Sequence, residues 1–223
     1  MTSEAKIITG IGIFTILIII LGLMFSGAPN PNAEVSINKE ILVNQNNPIV
    51  AGTAEKRVQI VEFGDFQCPA CAMLSFNMKE LFKTHGDKID FVFRVIPIHQ
   101  YSVEAAGASY AAHEQGKFKE MYEKLFEKQD EWSTPSANRP ELFATYATEI
   151  GLNVEQFKKD ISSKAGLYKT YVDADAKDAA AMNVAVTPTL IINGNKVVRG
   201  AVGYEQLKSL VESELNPATS TNN

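Results

Sequence analysis

The chain has 223 residues, of which 45% are hydrophobic, and its 26 acidic residues outnumber 21 basic ones, giving a formal net charge of −5. The hydrophobic content is enough to bury one substantial core, which excludes a mainly disordered protein. Because no basic surplus is available to hold phosphate groups, we expect no nucleic-acid partner.

The first predicted element is a membrane anchor at residues 7–25, IITGIGIFTILIIILGLMF, a run without a charged side chain. As a helix it would be about 28 Å long, which just spans a bilayer core. The alternative is a secreted protein released by signal-peptide cleavage after residues 26–28, but Pro29 directly after that cut disfavours it. Lys6 predicts a cytoplasmic segment at residues 1–6 and places the rest on the extracytoplasmic side of the cell membrane.

The next segment is predicted to be a tether. Residues 26–47 combine a linker rich in Pro, Gly and Asn, SGAPNPNA, with a loosely attached arm that holds at most one strand. The folded domain is expected over residues 48–215, because residues 216–223 are polar and typical of a disordered tail. The chain is therefore predicted to carry one folded domain on a flexible tether.

The domain begins with a strand, a helix and a second strand. Residues 57–63, RVQIVEF, are β-branched and largely apolar, as in a central strand covered on both faces. A helix is predicted from Pro69 until Gly86 stops it, and a second strand at residues 88–98, KIDFVFRVIPI. This order indicates a parallel βαβ unit with a right-handed crossover.

The rest of the domain is predicted to be a helical insertion followed by a hairpin and a last helix. Residues 102–182 have helical patterning almost throughout, which predicts an all-helical subdomain inserted into an α/β frame. Residues 190–192 and 196–199 flank Asn193-Gly194, a strong signal for a two-residue hairpin turn, and residues 204–215 predict an amphipathic helix. The fold class is therefore α/β.

The only two cysteines, Cys68 and Cys71, stand in the segment QCPAC. As a structural disulfide they would close a very short loop and stabilise the fold by about 2 kcal/mol or less. A closed metal site needs four ligands, and His85, His99 and His113 are not spaced to pair with the cysteines, so no metal is expected. A redox pair is the remaining interpretation, and it also explains the intervening proline.

A helix that begins at Pro69 makes Cys68 its N-cap. The N–H groups of Ala70 and Cys71 can then point at the Cys68 sulfur, and the positive end of the helix dipole favours the thiolate. Cys68 is therefore predicted to be the exposed nucleophile with a depressed pKa. Cys71, one turn further on, is predicted to be the shielded resolving cysteine.

Three segments in this order resemble one family: IVEFGDFQCPAC, EQGKFKEMYEKLFEKQDEW and VTPTLIINGN. Over residues 48–215 the chain resembles the DsbA-like branch of the thioredoxin superfamily, which are membrane-tethered thiol-disulfide oxidoreductases of the bacterial envelope. The resemblance implies a thioredoxin-like fold and no cofactor other than the Cys68–Cys71 disulfide. It also implies cysteine-containing secreted or envelope proteins as substrates, and reoxidation by a quinone-linked membrane protein.

The resemblance implies a substrate-binding site beside Cys68. The family has a cis peptide bond that faces the cysteines, and this maps to Thr187-Pro188. The Thr187 backbone would then offer an edge for an extended substrate, with Pro69 and Ala70 beside it. The alternative is that Pro188 merely begins an edge strand.

Glu62 corresponds to an acidic residue that the family has beneath its active site. Its strand neighbours Val61 and Phe63 are strongly apolar, which favours a buried acid over a solvated carboxylate near a strand end. A buried acid with a raised pKa could accept the proton of Cys71 during resolution of a mixed disulfide.

The chain departs from the family at Ala70, where strongly oxidising members have a histidine. Alanine supplies neither charge nor a donor to the Cys68 thiolate, so the disulfide should be less oxidising, by about 30 mV for each 1.4 kcal/mol. The leading hypothesis is an oxidase that introduces disulfides. The alternatives are an envelope reductase or isomerase that uses the same pair, and a non-enzymatic polypeptide-binding module.

Overall fold

The computed structural model describes residues 33–216. The predicted cytoplasmic segment at residues 1–6, the anchor at residues 7–25 and the tail beyond residue 216 lie outside this range, as does most of the linker. Within the described range, none of the helices has both the length and the apolar character that crossing a membrane requires.

A mixed five-stranded sheet with the order β1-β3-β2-β4-β5 forms the centre of the domain. The strands are β1 (Ile49–Val50), β2 (Val58–Gly64), β3 (Ile89–Val95), β4 (Thr189–Ile192) and β5 (Lys196–Arg199). Strand β2 pairs in parallel with β3 and antiparallel with β4, which confirms it as the central strand. Every β2 residue except Gln59 is buried, because side chains from other elements pack on both faces.

Helices form most of the remaining chain. They are α1 (Lys39–Leu42), α2 (Pro69–His85), α3 (Ser102–His113), α4 (Phe118–Glu127), α5 (Gln129–Trp132), α6 (Arg139–Glu149), α7 (Val154–Ser163), α8 (Ala165–Ala181) and α9 (Tyr204–Leu215). Helices α3 to α8 are the predicted helical insertion, and the predicted strand-helix-strand unit is β2-α2-β3. The thioredoxin-like α/β arrangement with an inserted helical block is therefore confirmed.

Residues 34–47 are not the loosely attached arm that the sequence predicts. They contain the short helix α1, and Leu42 at its end is only 3% exposed. The guanidinium group of Arg94, on β3, donates hydrogen bonds to the backbone carbonyls of Ile41 and Leu42. Apolar burial and a buried cation thus hold this segment against the sheet, although its many asparagines suggested an exposed loop.

Strands β4 and β5 form the predicted antiparallel hairpin around Asn193-Gly194. Both turn residues have positive φ, 48° and 63°, as the turn that matches strand twist requires. The loop contains three residues rather than the predicted two, since Ile192 pairs with Lys196. Pairing of β4 with β2 brings Thr189 opposite Phe63, and so places the residues before β4 next to the end of β2.

Candidate active site

Three chain segments meet at one edge of the sheet. The first follows β2 and contains the cysteines, the second follows β3, and the third precedes β4 and contains Thr187-Pro188. They converge because β2 and β3 run in parallel and end at the same edge, where the antiparallel β4 begins. The sheet topology therefore brings distant parts of the sequence to the cysteine pair.

The cysteines lie at the start of α2 as predicted. Helix α2 begins at Pro69, and Cys68 is its N-cap with extended backbone angles. Both cysteines are free thiols, so the structure represents the reduced dithiol. Cys68 is 8% exposed and Cys71 is 0% exposed. Cys68 is thus less exposed than predicted. It is still the only one of the two cysteines that solvent reaches.

The surroundings of Cys68 stabilise its thiolate. They lower its pKa from 9.0 to about 5, chiefly through a hydrogen bond from the Cys71 thiol, while burial acts in the opposite direction. The Thr187 side chain and the backbone N–H groups of Cys71 and Ala70 lower the pKa further. The Cys68 side chain forms no capping hydrogen bond in the structure, so the N–H groups of Ala70 and Cys71 favour the thiolate from nearby rather than through the capping geometry that the sequence predicts.

Cys71 has the opposite character. Its role as donor to Cys68, its burial and the nearby charge of Glu62 all raise the pKa of its thiol well above the usual range. Its sulfur accepts a hydrogen bond from the backbone N–H of Asp65 at 3.5 Å. Cys71 is therefore a buried, protonated thiol beside an ionised one, which fits the predicted division into nucleophile and resolving cysteine.

We expect the absorbance of the Cys68 thiolate to titrate with a midpoint near pH 5 in the reduced protein. Alkylation of Cys68 should slow as the pH falls below this midpoint, because only the thiolate is nucleophilic. In Cys71→Ala the midpoint should rise, since the largest stabilising hydrogen bond is lost. A midpoint that stays unchanged in this variant would show that Cys71 does not stabilise the thiolate.

The Thr187–Pro188 peptide bond is cis, as the resemblance implies. The carbonyl oxygen of Thr187 lies 3.7 Å from the Cys68 sulfur. In the described part of the chain, neither the N–H nor the carbonyl of Thr187 forms a backbone–backbone hydrogen bond. The edge expected to pair with an extended substrate is therefore available directly beside the cysteine, and exposed Pro69 and half-buried Ala70 follow that cysteine in α2.

Glu62 is fully buried on β2, as the apolar neighbours predict. Its Oε2 accepts a hydrogen bond from the Tyr122 hydroxyl at 2.9 Å, whereas its buried Oε1 has no partner within residues 33–216. Burial raises the pKa of Glu62 to about 8, with Tyr122 acting to lower it and the charge of Cys68 acting to raise it. The carboxyl group can therefore gain or lose a proton near neutral pH.

Asp65 and Gln67, which precede Cys68, join the cysteine loop to a neighbouring segment, and the sequence did not predict these contacts. The buried Asp65 carboxylate accepts hydrogen bonds from the N–H groups of Gln67, Ile98 and His99 at 2.7, 2.7 and 3.0 Å. The Gln67 side-chain oxygen accepts another from the N–H of Tyr101. These bonds fix the cysteine loop to the loop after β3. The sequence feature that could have predicted these hydrogen bonds is the position of an acidic residue, Asp65, directly after a strand.

The helical insertion also reaches the site through two side chains that the sequence did not identify. Gln129 of α5 is buried and donates to the backbone carbonyls of Phe66 and Cys68 at 2.7 and 3.2 Å. Tyr122 of α4 donates to Glu62. No local sequence pattern predicts either contact.

Within residues 33–216, no three His, Cys, Asp or Glu side chains are grouped to hold a metal ion.

Residues 44–213 match the sequence profile of a family described as thioredoxin. The chain belongs to the thioredoxin family. Oxidised BdbD from Bacillus subtilis is a similar solved structure, with 26% identity and a TM-score of 0.66 over 82% of this chain and 98% of that one. The thiol-disulfide exchange protein alpha-DsbA2 from Wolbachia pipientis shares the fold at 21% identity, with a TM-score of 0.65 over 78% and 90% of the two chains. The resemblance to DsbA-like thiol-disulfide oxidoreductases is therefore confirmed.

Curated relatives of this thioredoxin-family chain are much longer proteins. A relative named Na(+)/H(+) antiporter NhaA 1, from Mycolicibacterium vanbaalenii, is 37% identical over 150 residues, which are 65% of this chain and 23% of the relative. A relative of the same name from Salinispora arenicola is 30% identical over 95% of this chain and 33% of its own length. The chain thus spans about a quarter to a third of these relatives, whose names describe the longer proteins.

Proposed function

We propose that this protein introduces disulfide bonds into secreted or envelope proteins through the Cys68–Cys71 pair. The main support is the contrast between the two thiols: Cys68 has a pKa of about 5, and the pKa of Cys71 is raised. A thiolate that is stable at neutral pH is a good leaving group and stabilises the reduced form. Its disulfide is correspondingly oxidising.

The proposed oxidation has two exchange steps. A substrate thiolate attacks the Cys68 sulfur of the Cys68–Cys71 disulfide, the S–S bond breaks, and Cys71 leaves with the electron pair and takes up a proton. A second substrate thiolate then attacks the substrate sulfur of the mixed disulfide. The substrate becomes a disulfide, and Cys68 leaves as the stabilised thiolate. The substrate is bound beside Cys68 on the free backbone edge of Thr187, next to Pro69 and Ala70.

Glu62 is proposed to exchange a proton with Cys71 in these steps. When Cys71 leaves, protonated Glu62 supplies the proton, and when Cys71 attacks a mixed disulfide, the Glu62 carboxylate accepts it. The pKa of about 8 leaves both protonation states populated near neutral pH. The role is supported by complete burial of both residues, which keeps bulk water from acting as the proton carrier.

The same groups would catalyse reduction or isomerisation if the pair were less oxidising. Ala70 favours this alternative because it gives the Cys68 thiolate neither a cation nor a side-chain donor. Equilibration of the protein against glutathione buffers, read from the ratio of dithiol to disulfide, decides between the two directions. A potential near that of thioredoxin, about −270 mV, would eliminate the oxidase, and one approaching about −120 mV would support it.

Ala70→His is expected to make the disulfide more oxidising. Imidazole beside the helix N-terminus adds a donor, and when protonated a positive charge, to the Cys68 thiolate, so the pKa of Cys68 should fall and the reduced form should gain stability. A gain of about 1.4 kcal/mol corresponds to about 30 mV in the glutathione equilibrium. Ala72→His, further along α2, is the matched control. If the two variants had equal reduction potentials, the side chain at position 70 would not be the one that sets the potential.

A retained anchor at residues 7–25 is proposed to hold the domain on the extracytoplasmic face of the cell membrane, near a quinone-linked protein that reoxidises it. The apolar length of this segment supports the anchor, and the family resemblance supports the partner. Cell fractionation with N-terminal sequencing tests the first point. Recovery of a form that starts near Pro29 and leaves the membrane would establish signal-peptide cleavage instead.

A further inference from the structure

We infer that Tyr122 is a positioning residue for proton exchange between Glu62 and Cys71, because its hydroxyl engages one carboxyl oxygen and leaves the other for the cysteine. This inference rests on the proposed function. It concerns a residue outside the sheet and outside the cysteine motif, supplied by helix α4 of the insertion.

The two oxygens of the Glu62 carboxyl group have different surroundings. Oε2 accepts the hydrogen bond from the Tyr122 hydroxyl at 2.9 Å. Oε1 is buried as well, yet it has no hydrogen-bond partner in the described part of the chain. A buried polar atom without a partner is costly, and native proteins contain few of them. The free oxygen is thus the one available to receive a proton.

Aromatic packing fixes the position of the Tyr122 hydroxyl. The Tyr122 ring packs edge-on against the rings of Phe91, Phe93 and Phe126, with centroids 5.3, 5.2 and 5.0 Å away. Tyr122 is itself fully buried. Because the ring is held on several sides, its hydroxyl is already in position when the carboxyl group changes its protonation state.

Neighbouring charges define which way Tyr122 acts. Among residues 33–216, the charged or ionisable groups that act most strongly on Glu62 and Tyr122, apart from each other, are Cys68, Cys71 and Glu123, all of which are acids. The Tyr122 hydroxyl is therefore the group that stabilises the Glu62 carboxylate against burial and against the Cys68 thiolate. It remains a donor throughout, because burial and the Glu62 charge keep the pKa of Tyr122 well above the usual range.

Stopped-flow reaction of the reduced protein with 5,5′-dithiobis(2-nitrobenzoate) separates the relevant steps. Attack by Cys68 releases one thionitrobenzoate and forms the mixed disulfide, and attack by Cys71 then releases the second and closes the Cys68–Cys71 disulfide. In Tyr122→Phe the first release should be unchanged. The pH midpoint of the second should rise by about one unit, with a loss of about three- to tenfold in rate at pH 7.

Two controls distinguish positioning from a structural role. Tyr146→Phe removes a hydroxyl that lies 3.3 Å from Glu131 instead, and should leave both releases unchanged. In the Glu62→Gln background, Tyr122→Phe should cause no further slowing of the second release, since the group that it positions is absent. An equal further slowing in that background would overturn the inference.

A measurement on the unaltered protein avoids dependence on the stability of the variants. In reduced protein labelled with ¹³C at tyrosine Cζ, the Tyr122 signal should shift with a midpoint near pH 8, the midpoint of Glu62. A Tyr122 signal that does not follow the Glu62 titration would overturn the inference. Failure of the unaltered protein to release a second thionitrobenzoate would instead overturn the proposed exchange function, so the two failures are distinguishable.

Discussion

Replacing Cys68 with serine is expected to abolish thiol-disulfide exchange, with a loss on the order of 10³-fold or more in the rate of oxidation of a dithiol peptide. Cys68 provides both the attacked sulfur and the stable leaving thiolate, and a serine hydroxyl can do neither. The fold should persist, because Cys68 is at a helix N-cap where serine is a preferred residue. Activity would be followed by fluorescence of the peptide, and folding by circular dichroism.

Cys71→Ser is the matched variant, because it removes the other sulfur by the same change. Its Cys68 should still attack a substrate disulfide, but the mixed disulfide should accumulate because no second thiol is placed to resolve it. Non-reducing electrophoresis and intact mass would detect the trapped species. If Cys68→Ser kept full activity in an envelope folding assay, the protein would be a polypeptide-binding module rather than an oxidoreductase.

The cysteine chemistry was predictable from the sequence because local rules determine it. Pro69 at the first helical position makes Cys68 the N-cap, and the structure has that helix start. The burial of Glu62 followed similarly from its apolar strand neighbours. These features depend on residues within one helical turn or one strand, so a short stretch of sequence is enough to predict them.

The side chains that surround the pair were not predictable in the same way. Tyr122 and Gln129 are separated from their partners Glu62 and Cys68 by 60 and 61 residues, and only the packing of the insertion on the sheet brings them together. The Asp65 carboxylate likewise accepts hydrogen bonds from Ile98 and His99, which lie 33 and 34 residues further along the chain. Local patterns contain no information about such partners.

The wrong prediction for residues 34–47 has a related cause. Arg94 stands in the largely apolar segment KIDFVFRVIPI, and nothing in that segment indicates which groups its guanidinium would contact. In the structure it is fully buried, with Nη2 2.8 Å from Asp175 and 2.6 Å from Asp178. It also lies over the ring of Phe63 at 5.2 Å. Arg94 therefore joins the sheet to both α8 and the N-terminal segment.

Arg94→Leu is expected to destabilise the domain by about 3–5 kcal/mol, because it leaves the buried carboxylate of Asp175 without its cation. The backbone carbonyls of Ile41 and Leu42 also lose their donor, so residues 34–47 should become more accessible to proteases. Urea unfolding would measure the change in the free energy of unfolding. Limited proteolysis would show whether the N-terminal segment is released first.

Arg57→Leu provides the matched control, since Arg57 pairs with Asp90 at 2.9 Å but is 38% exposed. It should lower the free energy of unfolding by no more than about 1 kcal/mol, as is typical when an exposed ion pair is lost.

The two variants should also differ in how their stability depends on pH. Burial already raises the pKa of Asp175 and Arg94 opposes that rise, so removing Arg94 raises the pKa further. The cost of Arg94→Leu should therefore shrink as the pH falls and Asp175 takes up a proton. A cost that is equal in the two variants, or independent of pH, would show that the buried ion pair does not hold the N-terminal segment and α8 to the sheet.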